Sequence, residues 1–119
     1  MFTFEKLDAW NLAIEFSDEI YTATRRFPKD EQFGLRSQLR RSACSISANL
    51  AEGSGRSSKK DFARFVEIAF GSLMETVSHL VISKRQEFIQ APTYTELYDK
   101  AERLGRVLSG LRRSLGRET

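Results

Sequence analysis

The sequence predicts a single all-α domain over residues 1–119, an up-down-up-down bundle of four antiparallel helices. Four stretches of about 20 to 30 residues carry apolar side chains at spacings of three and four, which is the period of one helix face. Pro28, the Gly53-Ser54-Gly55 segment and Pro92 interrupt these stretches. Because the interruptions are short, consecutive helices are expected to run antiparallel.

The first helix is expected over residues 7–26 and the second over residues 30–52. Pro28 separates them, because the residue before a proline is disfavoured in the α conformation. Gly53 or Gly55 can end the second helix with a left-handed C-terminal cap. The apolar stripe of the first helix comprises Trp10, Ala13, Ile14, Ser17, Ile20, Tyr21 and Thr24, and that of the second comprises Leu35, Leu39, Ser42, Ala43, Ile46, Asn49 and Leu50.

The third helix is expected to begin at Ser57 or Ser58 and to end between residues 84 and 88. Ser58 and Asp61 have the spacing of a capping box, as do Thr93 and Glu96 at the expected start of the fourth helix. The third stripe comprises Phe62, Val66, Ala69, Leu73, Val77, Leu80 and Val81. The fourth has heptad spacing and comprises Leu97, Ala101, Leu104, Leu108, Leu111 and Leu115.

Antiparallel pairing about Gly55 sets the expected register of the second and third helices. With a rise of about 1.5 Å per residue in each helix, Ser42 and Ala43 lie level with Gly71 and Ser72. Close packing of small residues then offsets the cost of a mid-helix glycine, about 1 kcal/mol against alanine. The alternative is that Gly71 is a tolerated surface glycine.

Polar residues beside this contact are expected to have structural partners. The same register brings Gln38 and Arg41 near Glu75. Asn49 lies on the buried stripe, and a buried amide without a partner costs about 1–3 kcal/mol. We therefore expect Asn49 to bond to the first turn of the third helix or to the Gly53 loop.

Composition and charge limit the classes of function. Lysine and arginine number 19 against 16 aspartates and glutamates, so the net charge of +3 permits a polyanionic partner without requiring one. The single cysteine, Cys44, excludes an intrachain disulfide, and the absence of a signal peptide favours the cytoplasm. No apolar run approaches the roughly 20 residues that span a bilayer, so no membrane association is expected.

Residues suited to catalysis or metal binding are few. His79 is the only histidine, and with one cysteine it cannot complete a zinc site of the usual spacing. Glu75 precedes it by four residues, whereas di-iron bundles use two Glu-x-x-His motifs. The 53–60 segment lacks the order of a phosphate-binding loop and a preceding strand. We expect no enzyme activity, catalytic residue, metal or cofactor, and a core position for Cys44.

The helices carry more apolar residues than one buried stripe each would need. A surface helix of a monomer normally shows one stripe, and surplus apolar surface marks an interface. Single exposed apolar residues are the ordinary alternative. Phe2 and Phe4 also need cover. We expect a homo-oligomer with an interface that includes Leu12, Phe16, Phe65, Ile68 and Ile82.

One end of the predicted bundle collects basic residues from the N-terminus, the turn between helices two and three, and the C-terminus. The free N–H groups that begin the third helix also favour anions there. The candidate nucleic-acid-binding residues are Arg56, Lys59, Lys60, Arg64, Arg112 and Arg113, with Lys6, Arg106 and Arg117 nearby. The alternative is a solvated rim of mixed charges, because the same end contains Glu5, Asp8, Glu52, Asp61 and Glu118.

Two sequence blocks resemble a known family. The first covers residues 27–35, 38–43 and 45–53 and ends in Asn49-Leu50-Ala51-Glu52-Gly53; the second is Ile68-Ala69-Phe70-Gly71-Ser72-Leu73-Met74-Glu75. Together they resemble the bacterial four-helix-bundle family whose members are encoded in intervening sequences of 23S ribosomal RNA genes, and also elsewhere in genomes. The similarity extends over about residues 4–112.

This resemblance implies a ring-like homopentamer of four-helix bundles. It also implies a relationship in fold to the accessory variability determinant of diversity-generating retroelements, which binds nucleic acid and partners a reverse transcriptase. The family-motif positions, which the resemblance marks as structural, are Gln38, Arg41, Asn49, Glu52, Gly53, Gly71, Ser72 and Glu75.

Two functional hypotheses remain open at this point. In the first, the chain is an RNA-associated oligomer in which the ring multiplies a weak basic patch and recognises shape and charge with little base specificity. In the second, it is a protein-interaction scaffold that docks a partner on the outer face of the bundle. Basic residues that converge on one surface favour the first, and evenly interleaved acidic residues favour the second.

Overall fold

The computed structural model describes residues 1–116, and within that range the chain forms four α-helices, two short 3-10 segments and no strand. The helices are α1 (Asp8–Thr24), α2 (Leu35–Ser54), α3 (Lys59–Arg85) and α4 (Ala91–Ser114). Each packs against its neighbours in chain order, and α1 also packs against α4. The four helices therefore form a bundle in which neighbours are antiparallel, as the sequence predicts.

Local sequence explains where the helices begin. Ser58 caps α3 by accepting the N–H of Asp61 at 3.0 Å, which is the first of the two bonds of the predicted capping box. Residues 29–31 form a 3-10 segment, so α2 begins at Leu35, whose N–H bonds to the Glu31 carboxylate at 2.9 Å. The capping box expected at Thr93 is wrong. Instead α4 begins at Ala91 and places a proline in its first turn, where no N–H is needed.

The interior is filled by large side chains that are almost fully inaccessible, among them Ile20, Leu39, Ile46, Leu50, Leu73, Leu80, Leu97, Leu104 and Leu108. Leu12 and Phe16 belong to this same core, at 9% and 0% exposure, so their predicted place in an oligomer interface is wrong. The physical reason is that α1 packs against both α2 and α4 and buries two sides rather than one.

A row of small polar side chains fixes the contact between α2 and α3. The hydroxyl oxygens of Ser42 and Thr76 lie 2.7 Å apart, and those of Ser45 and Ser72 lie 2.9 Å apart. The register is therefore shifted by about one helical turn from the predicted pairing of Ser42 with Gly71 and Ser72. A Cβ added at Gly71 would meet nothing within 4 Å, so this residue is the surface glycine of the alternative.

The close approach of the two backbones lies instead at Gly53. A Cβ there would be 2.6 Å from the Cβ of Phe65 and 3.0 Å from Cδ1 of Phe62. Phe65 is consequently buried against α2 at 8% exposure, and its predicted role in an oligomer interface is also wrong.

By length and composition alone, α3 is long and apolar enough to cross a membrane, so the prediction that no run approaches that length is wrong. In this fold the helix packs between α2 and α4 and contributes Val66, Ala69, Leu73 and Leu80 to the core. Core helices of water-soluble proteins pass the same test. Its outer side also carries Glu67 and Glu75, which are exposed and costly in a bilayer.

Candidate nucleic-acid interface

The antiparallel order brings the start of α1, the end of α2, the start of α3 and the end of α4 to one end of the bundle, the basic end. Most of the predicted basic side chains there are exposed, and Arg112 is half-buried. Arg117 and Glu118 lie outside the described residues. The set at this end is Lys6, Arg56, Lys59, Lys60, Arg64, Arg106, Arg112 and Arg113.

Three of these arginines have carboxylate partners. Arg56 lies 2.7 Å from Glu52, Arg64 lies 3.9 Å from Asp61, and Arg112 on α4 lies 2.6 Å from Glu67 on α3. Ion pairs at the surface contribute only about 0.2–1 kcal/mol each. Exchange of such a carboxylate for another anion would therefore cost little free energy.

The ring of Phe65 gathers two of these arginines. The guanidinium carbons of Arg56 and Arg64 lie 4.7 and 5.6 Å from its centroid, within the range of cation–π attraction. Phe65 thus positions two positive charges at the turn between α2 and α3. Sequence reasoning missed this role because the contact joins the turn after α2 to the second turn of α3.

Lys59 and Lys60 open α3 and are exposed, with no carboxylate partner among residues 1–116. Ser58 occupies the N–H of Asp61, and the positive end of the helix dipole adds to the lysine charges. The two lysines are therefore exposed cations of the turn without a carboxylate partner among residues 1–116.

Aromatic residues of the N-terminal segment also lie at this end. Phe2 stacks on Phe4 with ring planes 5° apart, and Phe4 meets Trp10 edge-on at 5.0 Å. Phe2 is nevertheless 74% exposed. The cover that Phe2 was expected to need is therefore not supplied within a single chain.

Three of the family-motif residues, Asn49, Gly53 and Ser72, lie where α2 and α3 meet. Asn49 donates to the carbonyl and hydroxyl oxygens of Ser45, at 2.8 and 3.0 Å, and Ser45 in turn contacts Ser72. The prediction that Asn49 bonds to the start of α3 or to the Gly53 loop is wrong, because its amide turns back along its own helix.

The remaining polar motif residues have local partners. Arg41 donates to Gln38 one turn earlier on α2, and Glu52 pairs with Arg56. Glu75 lies 3.4 Å from His79 on its own helix, rather than against Gln38 or Arg41. The expected contact between these helices through Glu75 is wrong. The helices are joined by the serine and threonine hydroxyls instead.

Cys44 is exposed rather than a core residue. Its sulfur lies 3.7 Å from the hydroxyl of Tyr21, and this hydrogen bond raises the pKa of the phenol above 10.0. Arg40 covers the Tyr21 ring and donates to Thr24 at 2.8 Å. Among the described residues, no group of three or more histidine, cysteine or carboxylate side chains is placed to hold a metal ion.

Two surface depressions complete the candidate sites. A groove of about 550 Å³ runs between α3 and α4 and reaches Arg113 of the basic end. A larger cleft of about 1080 Å³ lies at the opposite end, where Glu19, Glu87, Glu96 and Asp99 alternate with Arg26, Lys100 and Arg103. Its mixed charge makes the larger cleft the poorer site for a polyanion.

Comparisons with known proteins agree with this architecture. A family model described as 23S rRNA-intervening sequence protein matches residues 5–110. Among solved structures, the chain is similar to a protein of unknown function from the S23 ribosomal protein family of Bacteroides thetaiotaomicron, with 24% identity and a TM-score of 0.79. The alignment covers 88% of this chain and 98% of that one. The similarity establishes a shared fold, and no curated protein matches the chain.

Proposed function

Because the chain belongs to the 23S rRNA-intervening sequence protein family, we propose that it is a non-enzymatic, RNA-associated protein of the cytoplasm. The basic end of the bundle binds the phosphate backbone. The observation that carries this proposal is the convergence of arginines and lysines from three chain segments on that end. Arg56 and Arg64 flank Phe65, and Lys59 and Lys60 stand free beside them.

Charge alone makes a single patch a weak binder, so copy number contributes to the affinity. In the proposed homo-oligomer, each subunit supplies one basic end, and linked sites gain avidity without any new contact. Ile68 and Ile82 support self-association, because both are exposed on the outer face of α3, at 46% and 44%. A ring of five subunits is the assembly that the family resemblance favours.

A protein-interaction scaffold without RNA binding is the second candidate. It is supported by the same outer face of α3, which offers apolar side chains to any partner as well as to another copy. The two candidates differ in what the basic end does, since a scaffold on α3 does not need Arg56, Lys59 or Lys60.

The test compares two triple variants that lose the same charge at opposite ends of the bundle. Arg56→Ala, Lys59→Ala and Lys60→Ala remove the proposed site, and Arg25→Ala, Arg26→Ala and Lys29→Ala form the matched control. All six side chains are exposed, so both variants should fold, which circular dichroism checks. Fluorescence anisotropy with a labelled RNA hairpin, at about 50 and 200 mM salt, gives affinity and its salt dependence.

We expect the first variant to lose binding and the control to retain most of it. Wild-type affinity should fall steeply with salt, because each neutralised phosphate releases counterions. Equal losses in both variants would place the binding outside the basic end. A wild-type protein that fails to bind the hairpin at low salt would remove the RNA proposal and leave the scaffold.

A further inference from the structure

The groove between α3 and α4 combines an apolar floor with aromatic and basic walls. Phe70 and Met74 line it from α3, and Tyr98 and Gly105 line it from α4. Met74 and Tyr98 remain 46% and 36% exposed, so the floor is open to solvent. The absence of a side chain at Gly105 keeps the groove open midway along its length.

Two arginines edge this groove. Arg106 and Arg113 are exposed and have no carboxylate partner among residues 1–116. They lie seven residues apart, so they project from the same side of α4, about 10.5 Å apart along its axis. Glu102 is the one acidic side chain in the lining. An occupant that is both flat and apolar, and also anionic, matches these walls.

We propose that this groove receives unpaired nucleotides of the bound RNA, with a base against Phe70 and Tyr98 and phosphates at Arg106 and Arg113. This inference rests on the proposed function, and it deepens it by naming single-stranded RNA as the preferred ligand. Continuity supports the choice, because Arg106 and Arg113 belong both to the basic end and to the groove. A strand held at the basic end thus reaches the groove directly.

Stacking on aromatic side chains is available only to bases that are not paired in a helix. The side chains of proteins recognise unpaired bases in this way, and base–aromatic stacking is largely indifferent to sequence. The groove therefore predicts a preference for single strands over duplexes, with little preference among bases. Phosphate contacts at the basic end alone predict no such preference.

The test fills the groove without changing charge. Gly105→Leu places a side chain in it, and the first added atom is tolerated, since a Cβ at Gly105 would lie 3.6 Å from Leu73 and 3.9 Å from Phe70. Ala48→Leu adds the same side chain to the exposed face of α2 as a control. The probes are a single-stranded RNA of mixed sequence and an RNA duplex of equal length, compared by anisotropy at one salt concentration.

We expect wild type and Ala48→Leu to bind the single strand more tightly, and Gly105→Leu to lose about tenfold on the single strand while its duplex affinity is unchanged. Tyr98→Ala, which changes no charge and alters a side chain that is 36% exposed, should weaken single-strand binding in the same selective way. This second variant tests the inference if Gly105→Leu does not fold.

Four outcomes overturn the inference. Equal wild-type affinity for both probes, or unchanged single-strand binding in the folded groove variants, would refute the groove while leaving the basic end intact. Loss of polyglutamate binding by Gly105→Leu, matching its loss of single-strand binding, would show that the groove recognises acidic polymers in general. Failure of wild type to bind either probe would refute the proposed function as well.

Discussion

The hydroxyls of Ser42 on α2 and Thr76 on α3 lie 2.7 Å apart in the interior of the bundle, where both side chains are buried. Thr76 also lies 2.8 Å from the carbonyl oxygen of Ser72. The other contact of Ser42 is a longer bond, 3.3 Å, to the carbonyl of Leu39. A hydrogen bond forms only at one alignment of the two helices, whereas small side chains can pack at several. The Ser42–Thr76 pair therefore fixes how α2 and α3 are aligned along their axes.

Thr76→Val should therefore destabilise the protein by about 1–3 kcal/mol, because it leaves the Ser42 hydroxyl with only its long bond. Adding Ser42→Ala should recover part of this loss, since neither helix then buries a polar group without a partner. Urea unfolding of wild type, the two single variants and the double variant gives the coupling free energy. Losses that simply add, within about 0.5 kcal/mol, would show that the pair is not coupled.

Gly53→Ala should destabilise the fold by about 1–3 kcal/mol, the usual cost of overpacking. Its Cβ would lie 2.6 Å from the Cβ of Phe65, an atom that cannot move without its helix. Gly71→Ala is the control, because its Cβ meets open space and alanine favours helix by up to about 1 kcal/mol. Thermal unfolding compares the two. A Gly53→Ala protein as stable as wild type would mean that α2 and α3 separate there at no cost.

The two glycines also show what the sequence could and could not predict. The number and order of the helices and the Ser58 cap follow from local patterns, each of which is complete within one short segment of the chain. Register does not, because it depends on how the Gly55 turn is traversed. Which side of α3 faces α2 is also set by packing, and this leaves Gly71 exposed while Gly53 lies at the close approach. The predicted hydrogen bonds of Asn49 were wrong for a related reason, because Ser45, one turn earlier on α2, supplies the acceptor instead of α3.

The candidate site also has parts that the sequence predicts and parts that it does not. The basic end follows from topology, since antiparallel helices bring alternate termini together. The ion-pair partners of the basic residues do not follow from topology, because Arg112 on α4 pairs with Glu67 on the neighbouring helix α3. The α3–α4 groove was missed entirely, since Phe70, Tyr98 and Arg106 become neighbours only when two helices pack. The surplus apolar residues were similarly misassigned at Leu12 and Phe16, which α2 and α4 cover from both sides of α1.

The pH dependence of stability should reveal the link between α1 and α4. Lys100 donates a hydrogen bond to Glu19 and lies 3.6 Å from Glu15, and these contacts outweigh desolvation and raise its pKa above 10.5. Because the pKa is raised in the folded state, the Lys100 contacts contribute fully to the free energy of unfolding below the unfolded-state pKa. That contribution disappears as pH rises through the folded-state pKa.

Lys100→Met should accordingly lower the melting temperature at neutral pH, and the difference from wild type should shrink from about pH 10.5 upward. Arg103→Met removes a positive charge from an exposed position on the same helix and serves as the control. Melting temperatures at about pH 7, 9 and 11 provide the comparison. A difference that persists undiminished at the highest pH would assign the effect to packing of the lysine stem.

Self-association should depend on the outer stripe of α3, which consists of residues spaced alternately four and three apart. Ile68 and Ile82 are its apolar members, 46% and 44% exposed, and Gly71 between them allows a second helix to approach closely. Glutamate at both isoleucines would place like charges opposite one another in a symmetric contact or bury them in any other. We therefore expect Ile68→Glu with Ile82→Glu to yield a folded monomer of about 13.6 kDa from an oligomeric wild type.

Met74→Glu is the matched control, because Met74 is equally exposed on another side of the same helix, and it should leave the assembly intact. Sedimentation velocity at micromolar concentration measures all three masses. A monomeric wild type would remove the oligomer from the proposal, and an oligomer that survives the double change would place the interface on a different face.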